Sequence, residues 1–118
     1  NFIQLISPTT EKKRMKRIIQ DSHDMIYYIS MLSTTGGKLK IPTKKIMNNY
    51  KKVKSLAKNK SIVIGFGITK KTISALKSAD GLVVGSQLCK AIGEAVNKRQ
   101  NPVIKLSKLV YNLKSKIL

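Results

Sequence analysis

The sequence predicts an α/β fold with a parallel sheet, because short apolar segments alternate with amphipathic helical segments along the whole chain. The apolar segments are rich in β-branched residues and apolar on both faces, as in strands of a covered parallel sheet. The four predicted strands are residues 2–6, 25–30, 61–65 and 81–85. Two architectures fit this order, a doubly wound sheet and half of a (β/α)8 barrel, and four strand–helix units match half a barrel in length.

The first two strands are each followed by helix-start signals. Pro8 ends the first strand, and Thr10 is placed to cap a helix that continues through Ile19. A Ser/Thr/Gly cluster ends the second strand, and Pro42 opens the next helix. The apolar positions of this helix recur at helical spacing and are Ile46, Tyr50, Val53, Leu56 and Ala57.

The second half of the chain repeats the pattern. A helix is predicted after the third strand, with Ile73, Leu76 and Ala79 on its apolar face. Another is predicted over residues 87–97, with Cys89 as a small buried side chain; its apolar positions are Leu88, Ile92 and Val96. Pro102 lies in the first turn of the last helix. This helix is expected to bury Leu106, Leu109, Val110 and Leu113.

The chain is strongly basic, with 24 Lys and Arg against 5 Asp and Glu and a formal net charge of +19. Such an excess suggests a nucleic-acid-binding module. However, only three of the basic residues are arginine, the better bidentate ligand of bases and phosphates, and the lysines are spread over most surface segments. No nucleic-acid-binding motif accompanies them. We therefore interpret the lysines mainly as solvated surface residues.

Several classes of protein are not favoured. No apolar run approaches the roughly 18 residues of a spanning helix, and one cysteine forms no internal disulfide, which fits a cytoplasmic protein. His23 is expected at the surface, and no metal site is predicted. Because a strand begins directly after Asn1, we expect this chain to be a single-domain fragment, residues 1–118, of a longer protein.

Glycine and hydroxyl residues follow the predicted strands. Ligands of parallel sheets gather at the carboxyl ends of the strands. Gly65 and Gly67 follow the third strand and Gly85 and Ser86 follow the fourth, so their amides predict a phosphate site, with Phe66 as an apolar wall. The alternative is that these glycines only form tight turns. Residues 33–37 similarly fit either a flap over the site or a surface loop.

The carboxylates are not placed for catalysis. The five are Glu11, Asp21, Asp24, Asp80 and Glu94, and none is expected directly at the carboxyl end of a strand. Asp80 precedes the fourth strand, which places it at the opposite face of a barrel. We therefore predict that this fragment contains no catalytic residue. Any catalytic acid and base are expected outside it.

Four motifs occur in one order: "FIQLISPTT", "YYIS" leading to "TTG", "GFGIT" and "ADGLVVGS". In that order and spacing they resemble the carboxyl-terminal half of the α subunit of tryptophan synthase. The resemblance implies a (β/α)8 barrel and a lyase of tryptophan biosynthesis that cleaves indole-3-glycerol phosphate to indole and glyceraldehyde 3-phosphate. It implies that the family's catalytic Glu and Asp lie in the half that is absent here.

The resemblance also assigns site residues. Gly36, Gly67, Gly85 and Ser86 are implied to bind the substrate phosphate. The implied indole pocket and its closing loop consist of Tyr27, Ile29, Thr35 and Phe66.

The family resemblance further implies a partner, the β subunit, in an αββα complex. Pyridoxal phosphate belongs to that subunit, so no cofactor is expected here. Neither nucleic acid nor membrane is expected as a partner. Two alternatives remain at this point, another phosphate-binding barrel enzyme and a basic nucleic-acid-binding module; "TTG" together with "GFGI" argues against the first.

Overall fold

A computed structural model describes residues 1–30 and 41–118 of the chain. Four parallel strands form one sheet, and their order across the sheet is their order in the chain. The strands are β1 (Gln4–Ile6), β2 (Met25–Ile29), β3 (Ser61–Gly65) and β4 (Gly81–Val83). The predicted parallel α/β fold is confirmed, with β1 and β4 shorter than expected.

Helices connect the strands. They are α1 (Lys12–Asp21), α2 (Thr43–Leu56), α3 (Ser86–Asn97) and α4 (Pro102–Lys114). Asn101 caps α4, because its side-chain Oδ1 accepts the N–H groups of Val103 and Ile104. Pro102 occupies the first turn of this helix, as predicted. No helix within residues 1–30 and 41–118 is long and apolar enough to cross a membrane.

The two faces of the sheet differ. Ile26, Ile62 and Ile64 are fully buried on one face and join a single core with side chains from all four helices. Alternate positions point to the opposite face, where Leu5 is 54% exposed and pairs in register with Tyr27. The helices of the described residues therefore all lie on one face of the sheet. This arrangement is half of a (β/α)8 barrel, whose interior corresponds to the uncovered face.

The prediction of an α-helix between β3 and β4 is wrong. Residues Ile73–Leu76 form a short 3-10 helix instead. Ile73 and Leu76 are nevertheless buried, as the pattern required. In a 3-10 helix residues three apart lie on the same line, so one short turn buries both side chains without a full α-helix.

The buried face of α3 also differs from the prediction. Ala91 and Ala95 are buried, whereas Ile92 and Val96 are 41% and 59% exposed. Cys89 is exposed, which contradicts its predicted burial. Helix α3 packs against α4, and its small alanine side chains allow the two helices to approach closely. The predicted apolar residues Ile92 and Val96 therefore lie away from the core.

Three further expectations about the helices fail. Val110 of α4 is 47% exposed, because Leu109 and Leu113 form the buried face. Thr10 does not cap α1: its Oγ1 accepts the N–H of Ser7 and so stabilises the turn after β1. Leu56 ends α2 at the surface, and the neighbouring Ala57 is buried.

Asp80 organises the end of the sheet where the strands begin. Its carboxylate accepts hydrogen bonds from Lys54 Nζ at 2.7 Å and from the N–H of Ile62 at 2.8 Å. The N–H of Asp80 donates to the Tyr50 hydroxyl at 3.0 Å. This position confirms that Asp80 lies at the end of the sheet opposite the carboxyl ends of the strands.

Candidate functional site

A cleft of about 560 Å³ opens at the carboxyl ends of β3 and β4. Tyr27 of β2 and the turn formed by Phe66 and Gly67 line one side. Gly85 and Ser86, at the start of α3, line the other. Because neighbouring parallel strands end at the same edge, the two glycine-containing motifs that lie apart in sequence meet in one cleft.

The turn after β3 has an unusual backbone. Phe66 and Gly67 both have left-handed conformations, with φ values of 78° and 70°. Glycine adopts this region freely, but for Phe66 it costs on the order of 1 kcal/mol. The Phe66 side chain is 52% exposed, so core packing does not account for the strain. Strained residues of this kind are concentrated at functional sites.

Gly65 is required by a close approach. A Cβ at this position would lie 1.7 Å from the Tyr27 hydroxyl oxygen and 2.0 Å from Cζ of its ring. The absent side chain therefore lets the Tyr27 ring lie over the end of β3. By contrast, a Cβ at Gly85 would meet no atom within 4 Å. Gly85 lines the cleft, and packing within the described chain does not demand glycine there.

The start of α3 brings to the cleft residues whose backbone N–H groups are unbonded within the described chain. Ser86 and Gln87 line the cleft, and across the described ranges their N–H groups donate to no acceptor. Such N–H groups carry partial positive charge at a helix start and favour an anion. The Gln87 side chain accepts the N–H of Lys70 at 3.2 Å, which ties α3 to the loop after β3.

Lysines surround one side of the cleft. Lys90, in the first turns of α3, lines both the cleft and an adjacent groove of about 340 Å³. The groove also contains Lys105 and Glu94, whose Nζ and Oε2 atoms are 3.8 Å apart. The local charge is therefore positive, which attracts anionic ligands. Sequence reasoning missed Lys90 and Gln87; the signal available was their position in the helix that begins at Ser86.

Most predicted site residues converge on the cleft. Ile29 does not: it lines a neighbouring cavity with Leu5 and Ser7. Gly36 and Thr35 lie outside the described residues. The members that do meet are Tyr27, Phe66, Gly67, Gly85 and Ser86.

No carboxylate of the described chain lines the cleft. Glu11 lies just before α1, at the same end of the sheet as the cleft. It is exposed and lines the cavity that contains Ile29. Asp80 lies at the opposite end of the sheet. In residues 1–30 and 41–118, no group of His, Cys, Asp and Glu is arranged to hold a metal ion.

The half barrel and the cleft at its strand ends define the class of protein, a (β/α)8-barrel protein with its candidate site at the carboxyl ends of the strands. Residues 1–117 match the family described as tryptophan synthase alpha chain. The chain belongs to this family, which confirms the resemblance of the four motifs.

Relatives in two bacteria illustrate the match. The chain is 65% identical over 117 residues to the tryptophan synthase alpha chain of Pelagibacter ubique, covering 99% of this chain and 44% of the relative. It is 36% identical over 96 residues to the Aquifex aeolicus protein of the same name, covering 80% of this chain and 36% of that one. The chain thus spans less than half the length of these relatives.

Solved structures of the family show the same architecture. The subunit from Legionella pneumophila superposes with a TM-score of 0.81 at 28% identity, covering 98% of this chain and 41% of that subunit. A structure from Pyrococcus furiosus gives 0.71 at 32% identity, covering 94% and 44%. The latter is described as part of a tryptophan synthase a2b2 complex.

Proposed function

We propose that this chain forms the phosphate-binding half of a tryptophan synthase α subunit. The whole subunit is a lyase that cleaves indole-3-glycerol phosphate into indole and glyceraldehyde 3-phosphate. The observation that carries the proposal is the cleft in which Gly67, Gly85 and Ser86 meet from two neighbouring strand ends. Membership of the family supports it, and none of the relatives named above favours a nucleic-acid-binding module or another barrel enzyme.

The substrate phosphate is held by backbone amides. The N–H groups of Ser86 and Gln87 at the start of α3 combine a hydrogen-bond donor with the positive end of the helix dipole. The Gly67 N–H supplies a third donor from the adjacent turn. Lys90 adds a positive charge nearby and neutralises part of the phosphate dianion. Gly36, from the family resemblance, completes the set.

The indole ring packs against aromatic side chains. Phe66, which has a left-handed backbone, lines the cleft, and the Tyr27 ring lies over the adjacent Gly65. Two aromatic walls next to an amide cradle suit a ligand with an aromatic end and a phosphate end. Ile29 and Thr35 are assigned to the pocket and its closing loop through the resemblance.

The acid and base come from the other half of the barrel. The described residues place no carboxylate in the cleft, so this chain binds and orients substrate, and proton transfer is done by a Glu and an Asp of the other half. The partner is a β subunit that carries pyridoxal phosphate and consumes the indole. The a2b2 complex named for the Pyrococcus furiosus relative supports this partner, and the cytoplasm is its proposed location.

A hybrid protein tests the function. In it, this chain replaces the matching 117-residue segment of the Pelagibacter ubique relative, to which it is 65% identical. We expect the hybrid to release indole from indole-3-glycerol phosphate, measured against the unaltered relative. A folded hybrid that binds inorganic phosphate but releases no indole would contradict the proposed activity.

Two glycine variants of the hybrid test the phosphate site. Gly85→Ala and Gly93→Ala each add a Cβ that meets no atom within 4 Å, so both should fold. We expect Gly85→Ala to raise KM by at least about tenfold, because its methyl group occupies space that the phosphate needs. Gly93→Ala, on the exposed side of α3, should leave KM unchanged and stabilise the helix by about 1 kcal/mol. Equal KM values for both variants would remove Gly85 from the site.

A further inference from the structure

Ser30 is a buried polar residue that the sequence analysis did not assign to the site. It follows β2 directly, and it is 1% exposed. Its N–H donates to the Gly65 carbonyl at 3.1 Å, which continues the pairing of β2 with β3 by one residue. Its hydroxyl lies 3.0 Å from the Gly65 carbonyl oxygen and 2.6 Å from that of Phe66. Since the hydroxyl has one hydrogen, it shares that hydrogen between the two carbonyls.

These two carbonyls belong to the peptide groups that form the turn after β3. The chain contains no cis peptide bond in its described part, and in a planar trans peptide the C=O and the following N–H point in opposite directions. A hydrogen bond that fixes the Phe66 carbonyl therefore also fixes the Gly67 N–H, on the opposite edge of the peptide. Gly67 lines the cleft.

An external constraint on this turn is needed. Gly67 has access to a wide range of backbone angles, and Phe66 is held in a left-handed conformation that costs free energy. Neither residue by itself keeps the peptide in one orientation. The short contact between the Ser30 hydroxyl and the Phe66 carbonyl supplies that constraint from the neighbouring strand. Ser30 itself is buried, so water competes little for its hydroxyl.

We propose that Ser30 is a positioning residue: its hydroxyl fixes the turn at Phe66 and Gly67 so that the Gly67 N–H is held ready for the phosphate of the substrate. The proposal rests on the proposed phosphate site. It adds to that site a residue that does not touch the ligand but sets the orientation of one that does.

The test uses the hybrid protein with two variants and a matched control. Ser30→Ala removes the hydroxyl, and Ser30→Cys keeps the approximate size but offers only a weak donor. The control is Ser22→Ala, because Ser22 is also buried and its hydroxyl also donates to a backbone carbonyl, that of Ile18 at 2.5 Å. Ser22 lies between α1 and β2, at the end of the sheet away from the cleft.

The readouts are the melting temperature and the affinity for inorganic phosphate, followed through the amide NMR signal of Gly67. We expect similar losses of melting temperature in Ser30→Ala and Ser22→Ala, since each removes one hydroxyl that donates to backbone carbonyl oxygen. Phosphate affinity should fall about tenfold in both Ser30 variants and stay within about twofold in Ser22→Ala. KM for indole-3-glycerol phosphate should rise with the same ratio while kcat changes less.

Unchanged phosphate affinity in both Ser30 variants, whatever their melting temperatures, would overturn the proposal and leave Ser30 a structural residue. An unaltered hybrid whose Gly67 signal does not respond to phosphate would also overturn it. The result is independent of turnover: a hybrid that shows the expected phosphate affinities and releases no indole supports the role of Ser30 and contradicts only the proposed reaction.

Discussion

At the scale of single residues, Tyr27 and Gly65 form a pair in which the aromatic ring occupies the space of a missing side chain. The ring stays over the end of β3 because position 65 has no Cβ. The sequence indicated two glycines around Phe66 but gave them one common role in phosphate binding. The structure separates them, since Gly65 accommodates a neighbour whereas Gly67 adopts a left-handed backbone.

This pair predicts a coupled effect of mutations in the hybrid. Gly65→Ala should lower the free energy of unfolding by about 1–3 kcal/mol, because the new methyl group overlaps the Tyr27 ring. In the background of Tyr27→Ala the same substitution should cost less than about 0.5 kcal/mol. Urea unfolding of the four proteins measures the coupling. Equal costs of Gly65→Ala in both backgrounds would show that the cost does not come from overlap with the Tyr27 ring.

From the sequence alone, glycine and hydroxyl residues at neighbouring strand ends could be placed at one cleft, although not their roles. Gly67, Gly85 and Ser86 meet in the cleft because a parallel sheet brings successive strand ends to one edge. Ser30 was missed, although it lies in the quoted motif "YYIS". Its role depends on a contact with residues more than thirty positions away, and no local pattern encodes that contact.

At the scale of elements, Asp80 connects three parts of the fold. Its carboxylate joins Lys54 of α2 to the start of β3, and its own N–H binds Tyr50 of α2. Partial burial raises the pKa of this carboxyl, but the hydrogen bonds from Lys54, the Ile62 N–H and Tyr50 together with the charge of Lys54 outweigh burial. The net pKa is below the ordinary value, so folding favours the ionised carboxylate.

Asp80 therefore predicts a pH-dependent stability. A lowered folded-state pKa gives stability that is present above the unfolded pKa, about 3.9, and that is lost as pH falls through the folded value. Asp80→Asn in the hybrid should cost about 2 kcal/mol at pH 7 and progressively less as the pH falls below about 4. Denaturant unfolding at several pH values measures the difference.

The matched control for this prediction is Glu94→Gln. The carboxylate of Glu94 lies 3.8 Å from Lys105 Nζ and is 48% exposed, and exposed ion pairs contribute about 0–1 kcal/mol. Its substitution should change stability by less than about 0.5 kcal/mol at pH 7. A cost for Asp80→Asn that does not change with pH would show that ionisation of Asp80 does not stabilise the fold.

The elements themselves were predicted unevenly from the sequence. β2 and β3 and helices α2 and α4 were recognised because apolar spacing and proline signals agree there. The 3-10 helix was mistaken for an α-helix, since Ile73 and Leu76 are three residues apart and this spacing is common to both. The burial of α3 was mistaken because hydrophobicity favours Ile92 and Val96, while close helix packing favours alanine.

At the scale of the whole molecule, residues 1–30 and 41–118 form a sheet whose two outer edges are unpaired and one of whose faces carries no helix. β1 and β4 are the edge strands, and Phe2 and Leu5 beside the first edge are 81% and 54% exposed. Exposed parallel edges with apolar neighbours invite pairing with other chains. In a complete barrel the other half covers both edges and this face.

The 118-residue chain expressed alone should therefore self-associate. Its net charge of +19 opposes association, so association should increase with salt, because the screening length falls from about 10 Å at 0.1 M to about 3 Å at 1 M. Sedimentation velocity at both salt concentrations measures this. A monodisperse species of 13.2 kDa at high salt would contradict the prediction, and the hybrid, with its edges covered, is the control.

The order of the strands also has a consequence for how the chain folds while it is being translated. Because each strand pairs with the strand made just before it, the sheet can grow in step with translation, and no strand must wait for a distant later partner. The cleft is completed after the sheet, since it needs the start of α3. A nascent chain still held at the ribosome can therefore possess most of the sheet before it possesses the cleft.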